Sequence, residues 1–326
     1  MLKVAFVGAL AASFAERVRA HLSLPCEFVL ADDITIESEI ASIDVLVTLV
    51  FTAEMAAEAR RLRLVQVPGA GLDRIDRRAL PAGAALANVY GHETGIAEFV
   101  IGAMLALTRD FGRLDAELRC GRWVSQWAVD RPPPSAWPEL AGKRLAILGY
   151  GRIGRSVAHR ARAFGMRISA VRQNLTASVG DELEVLGGLE ILDEVLERSD
   201  YLVITLPLSP ATHCLVGDRE FALMKPSAVL VNVARGEIVD EDALFEALAG
   251  RQIAGAAIDV WYRYPSVPGA MSPSRRPFHE LPNVLMTPHV SGWTAGMLEA
   301  RAALIAENIE RVARGAPPLN SIPPAA

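Results

Sequence analysis

The hexapeptide Gly149-Tyr150-Gly151-Arg152-Ile153-Gly154 is the part of the sequence whose residue types and spacing most clearly indicate chemistry. It follows an apolar run, residues 145–148, and a helical pattern follows it. Alone, such a glycine pattern is often only a tight loop, but between a strand and a helix it is typical of a dinucleotide site. Its glycines permit a tight turn, close approach of a pyrophosphate and close packing of helix on strand, while the first helical amides donate to phosphate. The predicted cofactor-binding residues here are Gly149, Gly151, Arg152, Ile153 and Gly154.

The choice between NAD and NADP is predicted from the end of the next strand. An acidic residue about 20 positions after the dinucleotide fingerprint, here the hexapeptide 149–154, usually binds the ribose hydroxyls of NAD. Here the sequence reads Val171-Arg172-Gln173-Asn174, without a carboxylate that would repel a 2′-phosphate. Because the Arg172 guanidinium can pair with that phosphate, NADP is the predicted cofactor and NAD the alternative. In the other interpretation Arg172 is a solvated charge at the end of a strand.

Composition excludes several classes of protein. The chain has 326 residues, 51% hydrophobic and 22% charged, which is typical of a folded protein of about two domains. A net charge of -5 provides no basic surface for a nucleic acid or an anionic membrane. The longest apolar run, residues 99–107, is about half of the ~20 residues that span a bilayer. Cys26, Cys120 and Cys214 lack metal-ligand spacing, so no metal site and a reducing compartment are predicted.

Short β-branched and apolar segments alternate with helical patterns, which is typical of an α/β fold. Residues 3–7 form the first predicted strand and residues 11–21 the first helix. Lys3 and the apolar residues 4–12 are also similar to a short signal peptide, but the amphipathic helix that follows favours the strand. The other strands predicted in this region are residues 27–30, 45–49, 64–67 and 84–87.

A second α/β unit is predicted after a long helix, residues 98–119, and a Trp- and Pro-rich arm or loop, residues 123–138. Six more strands are expected, which fits a complete doubly wound sheet. The tail, residues 294–314, is predicted to be helical because Gly315 and Pro317 are helix-stop residues. The six strands are residues 143–148, 167–171, 201–205, 228–233, 253–259 and 284–286.

With these features the chain resembles the D-isomer-specific 2-hydroxyacid dehydrogenase family, of the glyoxylate and hydroxypyruvate reductase type, over essentially its whole length. Val67-Pro68-Gly69-Ala70-Gly71-Leu72-Asp73-Arg74-Ile75-Asp76 is similar to the substrate-domain loop of that family. Because several separated family signatures occur in the family's order, the resemblance is highly specific. The later signatures are matched by Leu206-Pro207-Leu208 with Thr212, by residues 231–240 and 255–259, and by Thr287-Pro288-His289-Val290-Ser291-Gly292.

The resemblance implies the domain organisation. It implies two doubly wound α/β domains, with a Rossmann nucleotide-binding domain inserted into a flavodoxin-like substrate domain. The inserted domain is expected over residues 98–289, and the substrate (catalytic) domain over residues 1–97 and 290–326. The family's active site lies in the cleft between the two domains. The long helix and the Trp- and Pro-rich arm are expected to form a homodimer.

The resemblance also implies catalytic and binding roles. A 2-oxo acid presents a carboxylate beside the carbon that receives hydride, so its site needs a planar cation, backbone donors and a proton donor. Arg235 and the loop with Ala70 and Gly71 match the carboxylate-binding positions, and His289 matches the general acid/base. Asp259 matches an acidic position near the nicotinamide, and is expected to act both in catalysis and in cofactor binding. Further cofactor-lining positions are matched by Thr205, Pro207 and Gly292.

The same side chains also have purely structural interpretations. Arg235 could be a surface arginine after a buried strand, Asp259 a helix or turn cap, and His289 a hydrogen-bonded structural histidine. The intact order of the motifs favours the active-site interpretation. His92 stands in a segment that replaces a substrate-lining loop of the family. For this residue, substrate selection and ordinary exposed-loop chemistry are equally supported.

One position departs from the family pattern. Ordinary members place a glutamate five residues after the acidic position, where it pairs with the catalytic histidine, and this chain has Tyr264 there. Formate dehydrogenases related to the family also lack this glutamate, and their hydride transfer needs no proton relay. Reduction of a 2-oxo acid remains the preferred reaction, because a tyrosine hydroxyl can orient His289.

The predicted function is an oxidoreductase, NADP-preferring, that transfers hydride between NADP(H) and a small 2-oxo or D-2-hydroxy acid such as glyoxylate or hydroxypyruvate. One alternative is a formate- or phosphite-type dehydrogenase on the same scaffold. The other is a corepressor-like interaction protein that binds nucleotide without turnover. The expected partners are the small acid and a second copy of the chain, in the cytoplasm, with no nucleic acid and no membrane.

Overall fold

The chain forms two compact units. The computed structural model describes residues 1–32, 34–129, 131–173, 182–265 and 269–323. One unit consists of Met1–His92 and Trp293–Ala326, and the other of Glu93–Gly292. The second unit therefore interrupts the first in sequence. Its limits are 93 and 292, where the sequence predicts an inserted domain of residues 98–289.

Strands and helices alternate along both units. None of the described helices is long and apolar enough to cross a membrane. In chain order the strands are β1 (Leu2–Val7), β2 (Cys26–Ala31), β3 (Val45–Val47), β4 (Leu64–Gln66), β5 (Ala85–Ala87), β6 (Arg144–Leu148), β7 (Arg167–Val171), β8 (Val185–Gly187), β9 (Tyr201–Ile204), β10 (Val229–Asn232), β11 (Gly255–Ile258), β12 (Val284–Met286) and β13 (Ser321–Ile322). The α-helices are α1 (Ala9–Ala12), α2 (Ala15–His21), α3 (Ala53–Glu58), α4 (Glu93–Arg109), α5 (Phe111–Arg119), α6 (Arg152–Ala163), α7 (Leu192–Arg198), α8 (Asp218–Leu223), α9 (Glu241–Ala249) and α10 (Ala295–Ala313).

The first unit is built on a six-stranded sheet of order β13-β5-β4-β3-β1-β2. Its neighbouring strands are parallel, except that β13 runs antiparallel to β5. Successive residues of β1 point to opposite faces of the sheet. Val4 and Phe6 pack in one core with Ile305 of α10, whereas Ala5 and Val7 pack in the core on the other face. The order 2-1-3-4-5 of the parallel strands is the flavodoxin-like order.

The second unit is built on a seven-stranded parallel sheet of order β12-β11-β10-β9-β6-β7-β8. Counted from β6, its first six strands have the order 3-2-1-4-5-6 of the Rossmann fold. The strand order reverses between β6 and β9, and ligands of such sheets bind outside the carboxyl ends of the strands at this point. Gly149 directly follows β6 and Thr205 directly follows β9, so both residues lie there. The predicted fold class is confirmed.

Most predicted elements are present, but three predictions need correction. The single helix predicted over residues 98–119 is wrong, because Asp110 has a φ of 55° and separates α4 from α5. The helix predicted over residues 11–21 is also two helices, and the Ser13 hydroxyl between them donates to the carbonyl of Leu10. The short strands β8 and β13 were not predicted. The first predicted strand is confirmed as β1.

Candidate active site

Two glycines of the fingerprint are required by close packing within the second unit. Gly149 has a φ of 101°, and a Cβ atom there would lie 2.7 Å from the backbone nitrogen of Leu206. A Cβ atom on Gly154 would lie 2.5 Å from the carbonyl oxygen of Gly149. Both distances are too short for any larger residue. These glycines therefore allow α6 and the segment after β9 to pack against the turn.

Gly151 differs from the other two glycines. Its φ of −93° is accessible to any residue, and a Cβ atom there would have no described atom within 4 Å. The protein itself therefore does not require glycine at this position. Gly151 is the N-cap of α6, and Arg152 and Ile153 begin that helix, whose first amides have no acceptor within the helix. The open space in front of these donors fits the pyrophosphate of a dinucleotide.

Thr205 connects the fingerprint to the neighbouring strand. Its hydroxyl donates to the carbonyl of Gly149 at 2.6 Å, and its backbone amide donates to Leu148 at 2.8 Å. Thr205 therefore fixes the turn at the strand-order reversal. Pro207, two residues later, is exposed, and its carbonyl accepts from the Thr212 hydroxyl.

Arg172 directly follows β7. Its backbone amide donates to the carbonyl of Gly187 at 2.9 Å, which connects the end of β7 to β8. Its Nη1 atom is buried and has no hydrogen-bond partner among the described residues. A buried guanidinium nitrogen needs an acceptor, and a phosphate oxygen is a suitable one. Residues 174–181, including Asn174 of the quoted segment, lie outside the described residues.

Arg235 lies in a turn after β10 that is fixed by a buried asparagine. The Asn232 side chain donates to the carbonyl of Arg235 at 2.9 Å and accepts from the amide of Ala234 at 3.1 Å. The next residue, Gly236, is required because a Cβ atom there would lie 2.7 Å from the carbonyl oxygen of Trp261. The Arg235 turn therefore packs directly on the segment that follows β11.

Asp259 is fully buried and accepts three hydrogen bonds. Its Oδ1 accepts from the Thr287 hydroxyl at 2.6 Å and from the Val290 amide at 2.9 Å. Its Oδ2 accepts from the Ser291 amide at 2.9 Å. These donors lie on both sides of His289. The carboxylate therefore fixes the turn that carries His289 and leads to Gly292. The sequence did not predict this positioning contact, because the contacting residues are far from Asp259 along the chain.

His289 and Tyr264 form the central pair of this region. The Tyr264 hydroxyl lies 2.8 Å from His289 Nδ1, and the two ring centroids are 5.6 Å apart. The backbone amide of Trp261 donates to the same hydroxyl at 3.2 Å, and the Trp261 indole donates to the Thr287 carbonyl at 2.8 Å. The expectation that Tyr264 lies beside His289 is confirmed. Trp261, which the sequence analysis did not single out, connects this tyrosine to the His289 turn.

The surroundings of the pair shift both pKa values in the direction that favours the neutral form. Desolvation lowers the pKa of His289; the Asp259 carboxylate opposes this effect, and the Arg235 guanidinium lowers the pKa further. Desolvation raises the pKa of Tyr264, and Arg235 partly opposes that rise. A phenol that stays protonated cannot stabilise an imidazolium as a carboxylate does. Arg235, His289 and Tyr264 are thus close enough to interact electrostatically.

The substrate loop predicted in the first unit follows β4. The Asn88 side chain donates to the carbonyl of Ala70 at 3.0 Å, and the Val89 amide donates to the carbonyl of Gly69 at 3.2 Å. His92 is only 7% exposed, and its Nδ1 lies 2.9 Å from Nη2 of Arg301. The exposed-loop interpretation of His92 is therefore wrong. Within the described residues, no group of three or more His, Cys, Asp or Glu side chains is arranged to hold a metal ion.

Sequence comparisons identify the family whose motifs the chain carries. Residues 101–291, more than half of the chain, match the model described as "D-isomer specific 2-hydroxyacid dehydrogenase, NAD binding domain". The chain is 34% identical over 276 residues to a glyoxylate reductase of Thermococcus gammatolerans. That alignment covers 83% of this chain and 80% of the relative.

Solved structures show the same fold over nearly the whole chain. A D-isomer specific 2-hydroxyacid dehydrogenase from Xanthobacter autotrophicus Py2, in complex with NADPH and MES, is 27% identical with a TM-score of 0.79. The match covers 99% of this chain and 98% of that one. A Granulicella formate dehydrogenase is 28% identical to this chain with a TM-score of 0.79. That match covers 96% of this chain and 83% of the formate dehydrogenase chain.

Proposed function

We infer the reaction of this chain from the premise that it belongs to the D-isomer-specific 2-hydroxyacid dehydrogenase family and is an oxidoreductase with a nicotinamide-binding Rossmann domain. The proposed reaction is the reduction of a small 2-oxo acid, such as glyoxylate or hydroxypyruvate, to the D-2-hydroxy acid. The observation that carries this proposal is the grouping of Arg235, His289 and Tyr264 around the turn fixed by Asp259.

Each of these side chains has a distinct task in the proposed reaction. A bound nicotinamide cofactor supplies the hydride. The planar guanidinium of Arg235 binds the carboxylate of the 2-oxo acid. Because Tyr264 occupies Nδ1 of His289, the imidazolium donates its proton from Nε2 to the oxo oxygen. In the same proposal Ala70, Gly71 and His92 contact the substrate, and Asp259 and Gly292 lie near the nicotinamide.

NADP is the proposed cofactor, with NAD as the alternative. The buried Nη1 of Arg172 has no acceptor among the described residues, and a 2′-phosphate would provide one. The Xanthobacter relative was solved with NADPH, whereas the matched family model is described as NAD binding. Arg172 therefore supports NADP more directly than the relatives do.

The proposal includes a homodimer in the cytoplasm. Helix α5 and the arm after it expose large apolar side chains, which mark interaction surfaces when they are grouped. Trp127 is 74% exposed, and the same region contains Phe111, Leu118 and Trp123. Light scattering of the purified protein is expected to give twice the chain mass. A monomer at micromolar concentration would contradict the dimer.

A panel of 2-oxo acids with NADPH tests the reaction, with loss of NADPH absorbance as the measurement. Arg235→Lys provides the matched variant, because lysine keeps the positive charge but lacks the planar fork. We expect its turnover of oxo acids to collapse while its cofactor affinity stays unchanged. Cofactor binding without turnover of any oxo acid by the unmodified protein would favour the corepressor-like alternative.

A formate-type dehydrogenase is the second candidate. Two observations favour it: Tyr264 replaces the family glutamate, and a formate dehydrogenase is among the similar structures. Formate oxidation transfers hydride without a proton relay, so a neutral His289 would suffice. Formate with NADP⁺ or NAD⁺ is the discriminating assay. Reduced cofactor formed from formate, without oxo-acid reduction, would replace the first proposal with this one.

A further inference from the structure

Arg301 is a buried arginine on α10 of the first unit. It is 9% exposed, and its guanidinium contacts the loop at Pro68 and the loop at His92. Nη1 donates to the carbonyl of Pro68 at 3.1 Å, and Nη2 lies 2.9 Å from Nδ1 of His92. A buried charge is costly unless hydrogen bonds compensate for the lost water. The contacts with Pro68 and His92 therefore help to compensate for the burial of the Arg301 charge.

The contact with His92 determines where the imidazole carries its proton. A guanidinium has only donors, so Nδ1 of His92 must be the acceptor. An imidazole that accepts at Nδ1 is neutral and carries its hydrogen at Nε2. Arg301 therefore selects one tautomer of His92, the one with a donor at Nε2.

The contact with Pro68 holds one end of the predicted substrate loop. Pro68 directly precedes Gly69, Ala70 and Gly71, and the carbonyl of Ala70 accepts from the buried side chain of Asn88. The loop is thus held from two sides, by a guanidinium and by an amide. Both supporting side chains, Arg301 and Asn88, are buried in the first unit.

The segment before His92 is also packed against α10. Gly91 has a φ of 96°, and a Cβ atom there would lie 3.2 Å from the Cβ atom of Ala300. Ala300 directly precedes Arg301 in the helix. The helix therefore lies against the His92 segment at the Ala300 side chain and also contacts His92 through the Arg301 guanidinium.

We propose that Arg301 is a positioning residue for substrate binding, which holds the Pro68–Gly71 loop and fixes His92 as the tautomer that donates from Nε2. This inference rests on the proposed reduction of a 2-oxo acid, in which Ala70, Gly71 and His92 contact the substrate. Lysine cannot replace Arg301, because an ammonium lacks the planar fork that reaches both acceptors.

Steady-state kinetics test the positioning role. In Arg301→Lys and Arg301→Met we expect KM for the oxo acid to rise about 10-fold or more, because buried acceptors are left unpaired. The affinity for NADPH should stay unchanged, and kcat should fall less than KM rises. Arg314→Met is the matched control, because Arg314 lies at the end of the same helix with 61% of its side chain exposed. An unchanged KM in Arg301→Met would overturn the proposal, as would an equal loss of NADPH affinity.

A second measurement needs neither a variant at Arg301 nor turnover. The ¹⁵N shifts of labelled histidine rings distinguish a protonated nitrogen from an unprotonated one, and His92→Asn assigns the His92 signals. We expect Nδ1 to be unprotonated and Nε2 protonated in the unmodified protein without substrate. A protonated Nδ1, or an average of the two tautomers, would overturn the proposal. If the tautomer is as expected but no oxo acid is reduced, the proposed function fails and the role of Arg301 in fixing His92 stands.

Discussion

Two loops in this molecule are each held by one buried charged side chain, and the charges have opposite sign. In the second unit the Asp259 carboxylate accepts from Thr287, Val290 and Ser291. In the first unit the Arg301 guanidinium contacts Pro68 and His92. The sign of each charge follows from the groups that the loop turns inward. The His289 turn presents backbone amides, which need an acceptor, whereas the Pro68 carbonyl and the His92 imidazole nitrogen need a donor. A buried charge of either sign can thus hold a loop that contains a candidate site residue.

Arg172 differs from Arg301 in the contacts of its guanidinium. Both Nη atoms of Arg301 contact these loops, whereas the buried Nη1 of Arg172 has no hydrogen-bond partner among the described residues. We therefore expect Arg301 to serve the fold of its loop and Arg172 to serve a ligand. Variants of these residues distinguish a side chain that holds a loop from one that acts on the bound molecules.

The largest expected effect is on turnover in His289→Asn. The variant removes the proton donor, so kcat for oxo-acid reduction should fall ~100-fold or more. Its stability should change little, because Asp259 contacts the neighbours of His289 and because asparagine tolerates the φ of 57° found there. Full activity in this variant would remove the acid/base role of His289.

Asp259→Asn should reduce the stability of the second unit. An amide nitrogen cannot accept, so at least one donor of the His289 turn loses its partner, at a cost of about 1.5 to 3 kcal/mol in the free energy of unfolding. Thr287→Val is the control, because it removes the hydroxyl and keeps both backbone contacts. Urea denaturation measures the free energy of unfolding of both variants and of the unmodified protein. Equal stability of Asp259→Asn and the unmodified protein would contradict the anchoring role of the carboxylate.

Arg172→Asp should change the choice of cofactor. The lost charge-assisted contact to a 2′-phosphate is worth about 1.5 to 3 kcal/mol, so the preference for NADPH over NADH should be reversed or nearly abolished. The measurement is kcat/KM with each cofactor in both proteins. Equal KM values for NADPH and NADH in the unmodified protein would show that Arg172 does not bind the phosphate.

The smallest expected effect is a shift along the pH axis. Reduction needs protonated His289, whose pKa is lowered below its usual range near ~6.5, so activity should fall as pH rises through this lowered value. In Tyr264→Glu a carboxylate beside Nδ1 favours the imidazolium, which moves the falling limb to higher pH. The profile of kcat/KM against pH is measured in both proteins, under conditions where chemistry limits the rate. Superimposable profiles would mean that another group donates the proton.

The sequence predicted the sheets better than it predicted the contacts within the site. Apolar runs such as β6 and β9 are local patterns, and the fingerprint lies between a strand and a helix that are both evident from residue types. The break at Asp110 was missed because a single left-handed residue leaves the helical periodicity intact. Arg301 was missed for a different reason. Its partners, Pro68 and His92, are more than 200 residues away in sequence, and only the fold brings them to α10.

The interruption of the first unit by the second also has a consequence for biosynthesis. Residues 93–292 are complete before α10 and β13 have been translated, whereas the first unit needs both to cover its core and extend its sheet. Because domains fold as units during synthesis, the inserted unit can reach its native state while the earlier segment still lacks its last helix. Until then Val4, Phe6 and Phe14 have no Ile305 to pack against, and this apolar face of the first unit is not covered by α10.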